Sequence, residues 1–312
     1  MEKSVRKKPA LVFLWYVNAR FPVWEYGVYA ALWFCSLLAG FALFQDKPAD
    51  AFCSHFRAGS FAESLAGIVC VYGLFLFMRT VDEIKDLEYD RQFKPDRPLP
   101  QGIVTIRDMT LYLAGTSMVV ISLSFWIHWK LTIVSIMIMG YSLFLLWLEH
   151  ASEKFAQTMF LNLMVAIQLK VGAALYVYLF SSLKAADLPF FSLFGLIAAF
   201  ICAYLQWEIA RKICRHKFAA PGEKLYSEIA GTGLSTGISL GFLVTACFMV
   251  TVFYANWLFL TPILPQIIGV LLFLKAKDKK FPLGATALAA YLWFLILVLS
   301  YAFIQSGLMA YR

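Results

Sequence analysis

Nine stretches of this sequence are each apolar over close to the ~20 residues that a helix needs to cross the hydrocarbon layer of a bilayer. They lie at about 23–44, 61–79, 108–128, 131–148, 156–181, 190–210, 226–254, 257–274 and 285–308. Inside lipid every backbone N–H and C=O must find its partner within the protein, and runs of this length do so as helices. The expected fold is therefore all-α, a polytopic membrane bundle of about nine transmembrane helices. Composition agrees, with 61% apolar residues, 15% charged residues and a mean hydropathy of +0.73. A soluble domain carries roughly 45–50% apolar and about 25% charged residues. No composition break divides the chain, so one domain over residues 1–312 is expected.

The net charge of +8 acquires its meaning from its placement. With the N-terminus in the cytosol, the inside loops are 1–22, 79–107, 149–155, 211–225 and 275–284, and they hold 21 of the 27 Lys and Arg residues. That bias is the positive-inside rule. It makes the basicity topological, with anionic lipid headgroups as its neighbours, and it argues against a nucleic-acid partner. Residues 1–22 read as an interfacial helix leading into the first span rather than a secretory signal. The six cysteines show no metal spacing, and most sit inside spans, where they read as small buried hydrophobes. Gly233, Gly237 and Gly241 recur every fourth residue, which predicts a face for close helix packing in the membrane.

The chemistry lies in Asp82-Glu83-Ile84-Lys85-Asp86-Leu87-Glu88-Tyr89-Asp90, followed by Arg97-Pro98-Leu99-Pro100. At ~100° per residue, Asp82, Glu83, Asp86 and Asp90 fall within an arc of about 100° where a helix leaves the membrane. Like charges at this spacing repel, so something positive should occupy the face. Clustered carboxylate oxygens suit Mg²⁺, which binds through a few carboxylates together with substrate phosphate oxygens. Arg97 could clamp the same phosphates through paired hydrogen bonds. The blander reading is a solvated charged loop, neutralised by Lys85, Arg91 and Lys94.

This segment resembles the first motif of the UbiA superfamily of intramembrane prenyltransferases, Asn-Asp-x-x-Asp-x-x-x-Asp with Arg-Pro-Leu-Pro seven residues on. Here Asp82 stands where the family has Asn, and Glu83 where it has Asp; both keep an oxygen ligand. The resemblance implies nine transmembrane helices, a Mg²⁺-dependent site and an isoprenyl diphosphate substrate. It also implies a second aspartate-rich motif after the sixth span. Glu208 matches the first carboxylate of that motif and Lys224 a lysine further on, but Arg211, Lys212 and Arg215 occupy the ground between. Helical spacing puts these three cations on the face of Glu208. Arg and Lys can neutralise a diphosphate directly, which predicts a lopsided site. Metal would sit on the 82–90 side and mainly cations on the 208–215 side, with Glu208 either holding a second metal or orienting Arg211.

Lys154 stands where relatives carry a diphosphate-contacting Lys-Arg pair, with Phe155 in place of the Arg. Asn162 and Lys170 lie within the fifth span and are pocket candidates, because a polar or ionisable group in the membrane usually faces an interior cavity. The expected reaction is ionisation of an isoprenyl diphosphate, with the prenyl group passing to an aromatic or lipid acceptor. Cyclisation of the chain on itself, as in terpene cyclases of this fold, is the alternative. A transporter or non-catalytic membrane protein is the remote third, since carboxylates gathered at one helix end do not resemble mid-membrane ion sites.

Overall fold

Backbone groups that cannot reach water bond within their own helix, and among the described residues every regular element is helical. The computed structural model describes residues 9–45, 48–57, 60–152, 158–183, 188–220 and 222–310. In chain order the helices are α1 (Pro9–Arg20), α2 (Val23–Ala42), α3 (Pro48–Ser54), α4 (Phe61–Lys85), α5 (Leu87–Phe93), α6 (Ile106–Ile127) and α7 (Trp129–Ala151). There follow α8 (Met159–Ala166), α9 (Gln168–Ser182), α10 (Phe190–Ala210), α11 (Tyr226–Ala230), α12 (Thr232–Tyr254), α13 (Ile263–Lys275) and α14 (Leu283–Ala310). Nine helical segments among the described residues are long and apolar enough to cross a membrane. The expected all-α, polytopic membrane bundle is the fold of this protein.

Local chemistry sets the helix ends. Thr105 opens α6 with a capping box, its hydroxyl accepting from the Asp108 N–H while the Asp108 carboxylate accepts from the Thr105 N–H. A single extended residue, His128, separates α6 from α7, and its ring accepts from the Lys130 N–H. Two span boundaries differ from those read in the sequence. The second span continues past residue 79 to Lys85, because helical hydrogen bonding persists after the apolar run ends; Asp82 and Glu83 therefore stand on its last turn. The seventh span starts at Thr232 rather than 226, because Gly231 adopts a positive φ of 79° that breaks the helix behind α11.

The chain forms two compact units, dividing inside α2 between Phe34 and Cys35 and inside α9 after Phe180. In the first, α4 packs on α6 and α7. Gly73 makes the α4–α6 approach possible, since a side chain there would collide with Val120. The buried Ser124 hydroxyl lies 3.0 Å from Ser135 and 3.3 Å from Tyr176, a polar tie between spans worth roughly 1 kcal/mol in a membrane. In the second unit, α10 packs on α12 and α14. Gln206 donates to the Ala287 carbonyl at 3.2 Å, and Ser239 donates to the Gln206 carbonyl at 2.8 Å.

The glycine stripe on α12 does not serve as expected. Gly233, Gly237 and Gly241 are exposed, and a side chain at any of them would meet nothing within 4 Å. The buried face of α12 carries Ser235, Ser239, Leu243 and Ala246 instead. Four-residue spacing identified a helix face, but not which face the neighbouring helices cover.

Candidate functional site

In the first unit, α4 ends at Lys85 and α5 begins at Leu87, with Asp86 as the single residue between. The Asp86 N–H still bonds to the Asp82 carbonyl at 2.8 Å, so the carboxylates follow one another in near-helical succession. They do not share one environment. Glu83 is buried, and its Oε1 accepts from Arg20 Nε at 3.0 Å, Arg20 Nη2 at 2.5 Å and Arg79 Nη2 at 2.6 Å. This cluster fastens the end of α1 to α4. The Tyr16 hydroxyl beside it is pushed up to about 12, first by burial and then by the negative charge of Glu83.

Asp82 and Asp86 surround a different cation. Lys85 Nζ lies 3.4 Å from Asp82 and 3.3 Å from Glu149, a carboxylate on the last turn of α7. Glu149 also accepts from Asn162 Nδ2 at 3.4 Å, which brings the sequence candidate Asn162 into the cluster. Burial raises the pKa of Asp86; Lys85 opposes the rise, and the charges of Asp82, Glu149 and Asp90 add to it. Asp90 is buried and bound by Arg97 through Oδ2, while its Oδ1 has no hydrogen-bond partner. Arg97 is held there by the Arg-Pro-Leu-Pro turn. Buried Leu99 anchors that turn, and the N–H groups of Ile103 and Val104 both bond to the Pro98 carbonyl.

These donors fit a hard cation in a particular way. The carboxylates of Asp82, Asp90 and Glu149 all act on that of Asp86, Lys85 pairs with Asp82 and Glu149, and Asp90 Oδ1 is buried without a hydrogen-bond partner. Among the described residues no three His, Cys, Asp or Glu side chains stand close enough to enclose a metal by themselves. Mg²⁺ rarely requires that, since it commonly takes one or two carboxylates and completes its shell with water and phosphate oxygens. Glu83, facing two arginines, is the least suited of the acidic candidates. Lys170 lies elsewhere in this unit, its ammonium 3.4 Å from the Phe75 ring centroid and 5.6 Å from that of Tyr29. Lys154 falls outside the described residues.

The second unit carries the cationic cluster. Glu208, buried at the end of α10, accepts from Arg211 Nε at 2.7 Å and Nη2 at 2.6 Å, a bidentate pair. Lys212 Nζ adds a contact at 3.2 Å, and the Tyr204 hydroxyl another at 3.4 Å. Both Glu208 oxygens are thus occupied by donors, an arrangement that orients Arg211. Arg211 stands over Trp207 at 5.5 Å and Lys212 over Tyr226 at 5.7 Å. Lys224 is exposed in the segment leading into α11. Arg215 does not join Glu208 as helical spacing implied, because α10 stops at Ala210 and the later residues leave its face. Instead its Nη2 donates to the Phe273 and Leu274 carbonyls at 2.6 and 3.1 Å, capping the end of α13.

The fold is that of the UbiA-type membrane bundle. The chain is similar in structure to a UbiA homolog from Aeropyrum pernix K1, with a TM-score of 0.57 and 14% identity, over 88% of this chain and 96% of the other. A UbiA homolog from Archaeoglobus fulgidus aligns at a TM-score of 0.52 and 14% identity, covering 94% of this chain and 99% of that one. A structure described as digeranylgeranylglyceryl phosphate synthase aligns at 0.52 and 17% identity, over 90% and 99%. No family profile matches the sequence, and no curated protein matches it significantly.

Arg20, Arg79 and Glu149 escaped the reading of the sequence. For Glu149 a signal existed: it is a lone carboxylate ending an apolar span on the same basic side as Lys85. The partnership of Arg20 with Glu83 had no such signal, since 63 residues separate them.

Proposed function

We propose that this protein is a Mg²⁺-dependent intramembrane enzyme that ionises an isoprenyl diphosphate and transfers the prenyl group to an acceptor. The observation that carries the reading is the set of carboxylates gathered about Asp86, those of Asp82, Asp90 and Glu149, where α4 and α7 end in a UbiA-type fold. Bound there, Mg²⁺ would supply Lewis-acid stabilisation of the charge that builds on the departing diphosphate. Asp82, Asp86 and Asp90 are the residues that would hold it. Lys85 keeps Asp82 and Glu149 in place and offsets part of their repulsion. Arg97, carried on the Arg-Pro-Leu-Pro turn, would turn its guanidinium from Asp90 to a phosphate oxygen.

In the second unit Glu208 holds Arg211 and Lys212, and these cations are proposed to neutralise diphosphate charge. The prenyl chain lies in hydrocarbon, with the diphosphate on the cytosolic side where the basic loops gather. Phe75 and Tyr29 already face an ammonium, and ring faces of this kind stabilise a nearby carbocation.

Purified protein given Mg²⁺ and isoprenyl diphosphates of several lengths provides the test. Turnover that requires an added aromatic or lipid acceptor supports transfer. Cyclic hydrocarbons or alcohols formed without acceptor assign the protein to the cyclases instead. Absence of metal-dependent turnover or binding at every chain length rejects the enzyme reading. Asp86→Ala and Asp90→Ala should each lower turnover by at least about 10²-fold, since even outer-shell changes cost about 10–100-fold at metal sites. Membrane insertion should be unchanged.

A further inference from the structure

The outer face of the first unit carries an apolar groove of about 410 Å³, lined by α1, α4 and α6. That is the size of a small-molecule site, roughly 300–1,000 Å³. Its floor comes from two glycines with different roles. Gly73 lets α6 approach α4, whereas Gly115 leaves open space, since a side chain there would meet nothing within 4 Å. Phe13, Tyr72, Leu111 and Val119 form the walls. The Tyr72 hydroxyl is turned away to the Phe21 carbonyl at 3.0 Å, so the groove presents ring and aliphatic carbon.

Depth and charge then limit what can fill it. Gly115 is nine residues into α6 from Ile106, about 13 Å along the helix axis at ~1.5 Å per residue. Arg107 stands one turn before Leu111 on the same face, at the end of the span. Its side chain is exposed and forms no ion pair among the described residues. The adjacent carboxylate, Asp108, does not neutralise it, being held by the Thr105 N–H and hydroxyl at 2.9 and 2.6 Å. A helical side chain leans toward the N-terminus of its helix, which carries the guanidinium outward to headgroup level. Hydrocarbon depth below and an available cation above, among the described residues, suit an anionic amphiphile with its chain in the groove.

We infer that this groove is a binding site for an anionic phospholipid, with one acyl chain along Leu111–Val119 and the phosphate paired to Arg107. The site is independent of the proposed reaction and would regulate or stabilise the protein whatever its catalytic role.

The test uses the full-length protein in detergent and phosphatidylglycerol carrying a photoreactive diazirine in one acyl chain. Labelled residues are mapped by mass spectrometry, with diazirine phosphatidylcholine as the neutral comparison. Labels should concentrate on α4 and α6 at the groove, with at least a fivefold preference for phosphatidylglycerol. Gly115→Leu adds a side chain to the groove lining at a position whose Cβ would meet nothing within 4 Å, and should lower this labelling at least fivefold. Gly140→Leu, at another exposed glycine with open space around it, should not. Arg107→Gln should remove the headgroup preference while leaving chain labelling in place. Labelling that is indifferent to Gly115→Leu overturns the site, and a preference that survives Arg107→Gln overturns the assignment of the headgroup. Preferential displacement of the probe by an isoprenyl diphosphate would instead assign the groove to that substrate and overturn the inference. Because none of these readouts needs turnover, they stand or fall apart from the enzyme reading.

Discussion

Asp86 and Glu83 are three residues apart and both acidic, yet their surroundings give opposite expectations. Asp86 faces Asp82, Glu149 and Asp90 with Lys85 as its cation, and its pKa is raised, chiefly by burial. The folded protein therefore holds that proton more tightly than the unfolded chain. This contribution to stability is present below the ordinary carboxylate range and is lost as pH rises through the raised value. Metal-free protein should accordingly become more heat-stable as pH falls into that window, and added Mg²⁺ should reverse the trend near neutrality. Asp86→Asn should raise the melting temperature of metal-free protein while removing metal-dependent turnover; thermal unfolding with and without Mg²⁺ measures both. Glu83→Gln should do the reverse. It leaves Arg20 and Arg79 partly buried without their anion, a loss of about 2–4 kcal/mol for a broken ion pair of this kind. If Glu83 acts instead as a metal ligand like Asp86, its neutralisation will stabilise the metal-free protein as well.

At the level of elements, the position of Arg211 depends on where α14 begins. Gly284 lies against the Arg211 backbone, and a Cβ there would stand 2.7 Å from the Arg211 Cα, closer than packing allows. Gly284→Ala should therefore shift α14 or Arg211, destabilise the protein by about 1–3 kcal/mol and weaken diphosphate binding, although residue 284 touches no phosphate. Calorimetry with inorganic diphosphate, compared with Arg211→Gln, checks this. Unchanged affinity in Arg211→Gln would overturn the proposed diphosphate-neutralising role of the second unit's cations. Thr105→Ala should cost about 1 kcal/mol through loss of the α6 cap, read as a lower melting temperature with diphosphate affinity preserved.

For the whole molecule the sidedness of the bundle is the quantity to test. The positive-inside bias predicts residues 275–284 in the cytosol and α3 on the opposite side. Cys53, exposed on α3, should react with a membrane-impermeant maleimide in intact cells. Lys277→Cys, at an exposed position, should react only after permeabilisation. The reverse pattern would invert the topology and move the proposed diphosphate site to the other face. The all-helical class and the nine spans follow from the lengths of the apolar runs, because the bilayer imposes both helix and length on them. Their boundaries were less legible at Lys85 and Gly231, where hydrogen bonding and one positive φ decide the helix ends rather than hydropathy.

The sequence by itself determined what each segment could become: nine spans, a charged helix end at Asp82–Asp90, and a cation-rich counterpart beginning at Glu208. Helical periodicity acts over a few residues and carries that information locally. Tertiary structure alone decided which carboxylates face one another. It gave Glu83 to Arg20, brought Glu149 to Lys85, and sent Arg215 to the end of α13. It also left the α12 glycines uncovered and opened a groove beside Gly115. A charge or a missing side chain takes its role from whatever stands across the few ångströms in front of it, and those neighbours come from distant parts of the chain.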